Sequence, residues 1–380
     1  MKLNKTLFIS ILIVAILGIV SSIYLPIHFL VIVPKERYQD YSFKYWNDST
    51  SINELKTFVK DTVTPESKYY VPKEHRFATF DLDGTLIGER APIYLEWLMY
   101  QDYYDYVYDG DKDEIVTYTF TKNNIKQDRS VSLRETYNAI ENFKSGVESE
   151  FLELDEAHCG AKLFSGLSLS EYDHAVTEFL NKDAEGFTNL KYKDIFYKPM
   201  IEVVNFLRLN NFDIRIVSGT DRYMIRTLCY NILDLPQGKI IGMDVSFNLD
   251  GDKLIRGDKL VYKTVKATKA ELISQEIGEY TILSFGNSSG DIQMHECALN
   301  NPTYHSKAFM VVADDVTREY GYQGEILQNR IKDWGKYTLI SMANDWKTIY
   351  GDNVTKSWWS FNILKIITIH ETLLKNNLSA

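Results

Sequence analysis

From Pro199 onward the chain alternates short apolar runs with amphipathic ones, and this rhythm limits its possible folds more than any other feature. The spacing predicts helix over 200–209, strand over 213–217, helix over 221–233, strand over 239–247, helix over 266–277, strand over 280–285, helix over 291–299 and strand over 308–312. Alternation of this kind builds a parallel sheet covered by helices on both faces. An earlier run, Phe77-Ala78-Thr79-Phe80, reads as one more strand and ends in Asp81-Leu82-Asp83-Gly84-Thr85. In such sheets ligands bind beyond the carboxyl ends of the strands, so carboxylates there mark a candidate active site.

Between that first strand and residue 197 the pattern changes. Residues 92–108 are aromatic and helical, and 130–190 holds further amphipathic runs such as 170–181. The expected organisation is a core over 75–86 and 197–355, an inserted, mainly helical lobe over 87–196, and a C-terminal helix over 356–380. Residues 35–74 are polar and rich in Tyr, Ser and Thr, with a helical pattern near 52–59, and read as a spacer.

Residues 6–34 carry no charge and 7–33 are nearly all apolar, long enough to cross a hydrocarbon core as one helix. Lys2 and Lys5 precede this run, which orients the N-terminus to the cytoplasm. Residues 1–34 are therefore expected to anchor the chain in the cell membrane with the body outside the cytoplasm. Cleavage near Ser21-Ser22 would instead make 1–34 a signal sequence and the body secreted.

With 42 Lys+Arg against 52 Asp+Glu, the formal net charge of −10 argues against nucleic acid as a partner. Cys159, Cys229 and Cys297 show no CxxC pairing and read as small apolar residues without disulfides. His158, His295 and His305 are isolated and lack metal-ligand spacing.

The chemistry-bearing residues form an ordered set: Asp81-x-Asp83-Gly-Thr85 after a strand, Ser218-Gly219-Thr220 after a second, a helical lysine, and Gly286-Asn287-Ser288-Ser289-Gly290-Asp291 after a third. Phosphoryl transfer needs a nucleophile, an acid for the leaving group, a cation and donors for the phosphoryl oxygens, and each has a candidate here. On these motifs the chain resembles the haloacid dehalogenase (HAD) superfamily of phosphohydrolases, most closely its phosphoserine-phosphatase-like branch, over about 75–355.

The resemblance implies an α/β fold, a HAD-like doubly wound (Rossmannoid) parallel sheet with an inserted, mainly helical cap, here preceded by the transmembrane helix. It implies Asp81 as a nucleophile forming an aspartyl-phosphate and Asp83 as general acid and base. Ser218, with Gly219 and Thr85, matches phosphate- and substrate-binding positions. Lys269 looks like the third-motif lysine, with Lys266 and Lys263 within one or two turns as alternatives. Mg²⁺ is expected on Asp81, the backbone carbonyl of Asp83, and Asp291, with Asn287 as ligand or supporting partner. Asn287 departs from the usual Asp, a variant that resembles bacterial members of the superfamily.

Glu89 and Arg90, just past the nucleophile loop, are either substrate contacts or a surface ion pair. The rings of Tyr94, Trp97, Tyr100, Tyr103, Tyr104, Tyr106 and Tyr108 read as packed lobe interior or as a cage for a quaternary ammonium. Asp314, Asp315, Arg318 and Glu319 follow the last expected strand and carry no catalytic expectation. The function expected is a Mg²⁺-dependent phosphomonoesterase acting on a small organic phosphate. The alternatives are a phosphate-binding module without turnover, its fourth motif weakened by Asn287, and a phosphotransferase.

Overall fold

The computed structural model of the chain describes residues 37–89 and 93–357. In chain order its strands are β1 (Phe77–Phe80), β2 (Ile115–Lys122), β3 (Ile125–Ser132), β4 (Phe187–Thr188), β5 (Asp213–Asp221), β6 (Ile240–Asp250), β7 (Lys253–Tyr262), β8 (Leu283–Gly286), β9 (Lys307–Val312), β10 (Thr338–Ser341) and β11 (Thr355–Lys356). Seven of them form one sheet in the order β10-β9-β8-β1-β5-β6-β7. Every neighbouring pair is parallel except β6 and β7.

The strands β1, β8 and β9 are apolar along nearly their whole length because helices cover both faces of the sheet. On one face the rings of Phe80, Phe285 and Phe309 form a ladder across β1, β8 and β9, with centroids 4.4 and 5.0 Å apart and near-parallel planes. The ladder pins register, since a one-residue slip would turn each ring to the opposite face. Phe285→Ala is expected to cost roughly 3–5 kcal/mol of stability, read as a lowered denaturation midpoint.

The strand order places the switch of winding direction at β1, with β5 on one side and β8 on the other. The carboxyl ends of these three strands therefore open into a single crevice. The helices follow the expected order: Lys198–Leu209 with Pro199 in its first turn, Arg222–Leu233, Ala267–Glu276 and Ile292–Leu299. Asp221 caps the second of these, its side chain accepting the N–H groups of Tyr223 and Met224 at 2.8 and 3.3 Å.

Several expectations need correction. No helix among the described residues is long and apolar enough to cross a membrane, and the expected span 7–33 lies outside them. The membrane anchor, and the single-pass or secreted topology built on it, therefore has no support in the structure and is not carried forward. The stretch read as a spacer instead carries the helix Thr50–Val63, and Trp46, Leu55 and Val59 are buried in the main core. A helix needs only one apolar stripe to pack in this way, and Ile52, Leu55, Phe58, Val59 and Val63 supply it. Of the expected C-terminal helix, only 356–357 are described, and Lys356 pairs with Phe187 in the β11–β4 ribbon.

The inserted lobe is also less helical than its composition suggests. Between the helices Leu95–Tyr106 and Leu133–Lys144 stands the antiparallel hairpin β2–β3, turned at Asn123 and Asn124, both at positive φ. The helices Leu133–Lys144 and Leu169–Leu180 each begin with a Ser–Glu capping box, at Ser132/Glu135 and Ser168/Glu171.

The strand β7, also unexpected, ties lobe to core. Gly166 donates its N–H to the carbonyl of Arg256 at 2.9 Å, and Arg256 returns its N–H to Leu167 at 2.8 Å. The Arg256 guanidinium pairs with Asp221 at 2.6 Å and lies 3.7 Å from the ring centre of Tyr172. Beyond β9, the Asp315 side chain accepts the N–H groups of Thr317 and Arg318, and Asp314 accepts from Ser341 Oγ and Ala343 N. These carboxylates organise the loops that follow the sheet.

Candidate active site

At the end of β1, Asp81 still donates its N–H to the carbonyl of Phe285 at 2.9 Å, so the first carboxylate is fixed by the sheet itself. The chain then turns tightly at Gly84, whose φ is +75°. A Cβ at Gly84 would lie 2.0 Å from Asn287 Nδ2, so only glycine lets the first and fourth motif loops approach this closely.

Three lysines were candidates for the third motif, and one reaches the carboxylates. Lys269 Nζ lies 2.5 Å from Asp81 Oδ1 and 2.7 Å from Asp291 Oδ1. Lys263 turns away to Glu96 at 3.2 Å and Glu156 at 3.6 Å. Lys266 is exposed, at a positive φ of 51° just before the helix Ala267–Glu276. Burial pulls the Lys269 ammonium down, but Asp291 and Asp81 more than offset it and hold it above the ordinary lysine range. The other oxygen of Asp291 accepts the N–H groups of Asn287 and Ser288, each at 3.0 Å, so one carboxylate orders the lysine and the fourth-motif loop together.

Asp81 and Asp83 are not equivalent. Burial raises the Asp81 carboxyl well above its ordinary value, with Asp291 adding repulsion that Lys269 partly offsets. Burial also lifts Asp83 to about 6, opposed by a 2.9 Å hydrogen bond from Thr220 Oγ1 and reinforced by Glu96 and Glu89. The second oxygen of Asp83, Oδ1, is buried without a hydrogen-bond partner.

A cavity of about 450 Å³ opens over these groups between the strand ends and the inserted lobe. Asp81, Asp83, Ser218, Gly219, Lys269, Asn287 and Asp291 all line it, so the expected motif residues converge. Ser218 Oγ accepts the N–H of Thr220 at 3.2 Å, which shapes the irregular carboxyl end of β5, where its register with β6 shifts between Val217 and Asp221. Glu89 also lines the cavity, facing Arg330 rather than solvent. Thr85 does not: it is fully buried, with its N–H on the carbonyl of Leu82, because the turn at Gly84 carries it inward. Arg90 lies outside the described residues.

Of the aromatic series, Tyr94 and Trp97 reach the cavity, while Tyr100 and Tyr104 are buried in the lobe and Tyr106 is exposed. His295 is buried between Ser284 Oγ and Met310 Sδ, and burial lowers it to about 4. Cys159 and Cys229 are buried thiols, and Cys297 is half-buried.

Sequence reasoning missed Thr220, Glu96 and Arg330. Thr220 sat in a quoted motif without a role, and its hydroxyl two residues past Ser218 was the available signal. Glu96 and Arg330 reach the cavity only through the tertiary fold.

Among the described residues no set of three or more His, Cys, Asp or Glu side chains is gathered as a ready metal cage. Acidic side chains nevertheless outnumber basic ones in the cavity lining. One ammonium serves two carboxylates, and Asp83 keeps a buried oxygen unpartnered. Carboxylate, amide and carbonyl oxygens of this kind suit a hard divalent cation.

No family model matches the sequence, and no curated protein matches it. Solved structures with a similar course of chain include a conserved protein of unknown function from Anaerococcus prevotii, at 15% identity and a TM-score of 0.49, covering 80% of this chain and 94% of that one. Cytosolic 5′-nucleotidase IIIB bound to cytidine is 12% identical with a TM-score of 0.46, over 81% of this chain and 93% of that one. A HAD family hydrolase from Salmonella enterica is 12% identical with a TM-score of 0.36, over 68% and 72%. At these identities and scores the likenesses carry no functional inference, and the geometry of the strand ends has to carry it instead.

Proposed function

We propose that the chain is a phosphohydrolase of the haloacid dehalogenase type that cleaves a small organic phosphomonoester through an aspartyl-phosphate on Asp81. The observation that carries the reading is the convergence of Asp81, Asp83, Ser218, Lys269 and Asp291 on one cavity at the ends of β1, β5 and β8. The Asp-x-Asp-Gly-Thr form and the lobe inserted after the first strand support the phosphoserine-phosphatase-like branch.

In the first step an Asp81 oxygen attacks phosphorus and the bond to the ester oxygen breaks. The electron pair stays on that oxygen, which takes a proton from Asp83 and leaves as the alcohol. In the second step Asp83 accepts a proton from water as the water oxygen attacks phosphorus. The bond to Asp81 then breaks and orthophosphate departs. A residue that first gives and then takes a proton works best near the operating pH, and the value of about 6 for Asp83 supports this dual role. Lys269, 2.5 Å from Asp81, orients the nucleophile and offsets part of the cost that burial places on its ionised form. Ser218 and the neighbouring amides would hold phosphoryl oxygens.

The residues that would hold Mg²⁺ are Asp81, Asp291, the backbone carbonyl of Asp83, and Asn287. When bound, the cation would neutralise charge between the nucleophile and the phosphoryl group. The test is phosphate release from a generic aryl phosphate by the purified chain. Release is expected with Mg²⁺ and should fall at least ~100-fold when the cation is chelated. Turnover unaffected by chelation would remove the cation from the mechanism.

A further inference from the structure

We propose that Arg330, which belongs to none of the four motifs, is a substrate-binding residue that leaves Glu89 to take phosphoryl oxygens of the incoming monoester. This rests on the phosphohydrolase reading, because it adds a residue to that same site. Arg330 lies on the helix Gly324–Ile331, beyond the last motif, and lines the cavity together with Asp81 and Lys269.

Its guanidinium is held loosely. Among the described residues a single nitrogen, Nη2, makes its hydrogen bonds, at 3.5 Å to each oxygen of Glu89 and 3.4 Å to the carbonyl of Asn287. These distances sit at the outer limit of hydrogen bonding, and a guanidinium carries five N–H donors. Its Cζ lies over the Tyr322 ring, 4.4 Å from the ring centre, a contact that uses none of its donors.

The other cavity cations are placed differently. The ammonium of Lys269 is committed to Asp81 and Asp291, and that of Lys263 to Glu96 and Glu156. Lys266 is exposed. A phosphate dianion entering a cavity walled by Asp81, Asp83, Glu89 and Glu96 meets repulsion, and Arg330 can turn toward it while breaking only long contacts. Its position suits this. Asn287, whose carbonyl it touches, rests its side chain on the nucleophile loop at Gly84 and its N–H on Asp291. A guanidinium fork also matches two phosphoryl oxygens at once.

The test measures binding of inorganic phosphate, with Mg²⁺ present, to the full chain and to three variants by calorimetry. Arg330→Gln is expected to weaken binding by roughly tenfold or more, the loss of one charge-assisted contact. Arg330→Lys should fall between it and the unmodified chain, which keeps the test valid if the Gln variant folds poorly. Glu89→Gln removes the competing carboxylate and should bind phosphate at least as tightly as the unmodified chain. In steady state, Arg330→Gln should raise KM with little change in kcat. Phosphate binding unchanged in Arg330→Gln would overturn the proposal, as would equal weakening by Arg330→Gln and Glu89→Gln, the mark of a purely structural ion pair. Because binding is read without turnover, a chain that binds phosphate through Arg330 yet hydrolyses no ester would count against the phosphohydrolase reading alone.

Discussion

Replacing Asp81 with Asn is expected to lower turnover of any phosphomonoester by at least ~10⁴-fold, the scale of losing a covalent nucleophile. The same variant should melt at or above the temperature of the unmodified chain. Asp81 is a buried carboxylate facing a second one, Asp291, with a single ammonium between them. Asn keeps the shape of the side chain and removes the repulsion, while Lys269 retains Asp291 as its partner. Loss of activity with retained stability separates a chemical role from a structural one, and a thermal melt beside an initial-rate assay measures both. A variant that hydrolyses at more than a small fraction of the normal rate would show that Asp81 is not the attacking group.

Lys269→Met should damage both properties. The side chain is buried and bridges Asp81 and Asp291, so its removal strands two carboxylates that desolvation already disfavours. Breaking a buried pair in this way typically costs 3–5 kcal/mol, so a drop of about that size is expected in the free energy of unfolding. Turnover should fall by roughly 10²–10³-fold, because the ammonium is the fixed cation nearest the nucleophile. Denaturant titration and initial rates on the same preparation give the two numbers. The pairing of outcomes is diagnostic: activity lost with stability kept at Asp81, and both lost at Lys269.

The central strands were readable because parallel strands buried on both faces are mostly apolar, and their ends were readable because Asp81, Ser218 and Asn287 follow those runs abruptly. Motif spacing alone left Lys263, Lys266 and Lys269 as alternatives; the first two precede the helix Ala267–Glu276, and only Lys269, in its first turn, is carried to Asp81 and Asp291. The hairpin β2–β3 escaped because its two strands bury few residues, so alternation in 115–132 does not separate a core face from a wet one. Its Asn123-Asn124 turn was the clearer signal. The strand β7 escaped for a related reason, being a largely exposed edge whose value lies in Arg256 and, just past its end, Lys263, two cations that meet Tyr172 and Glu96 of the lobe. Thr85 was expected at the site because it sits in the motif, but backbone direction after Gly84 overrides sequence proximity. Arg330 shows the converse, a cavity residue separated from Glu89 by most of the chain and visible only once the fold brings them together.

The central claim is a covalent phosphoryl group on Asp81, and rapid-quench mass spectrometry of the chain mixed with excess aryl phosphate tests it most directly. The account predicts that one phosphoryl group accumulates on the peptide containing Asp81, decays at a rate consistent with turnover, is labile to hydroxylamine, and is absent from Asp81→Asn. Steady hydrolysis with no phosphorylated peptide under conditions that trap acyl phosphates, or with the phosphoryl group on another residue, would contradict it.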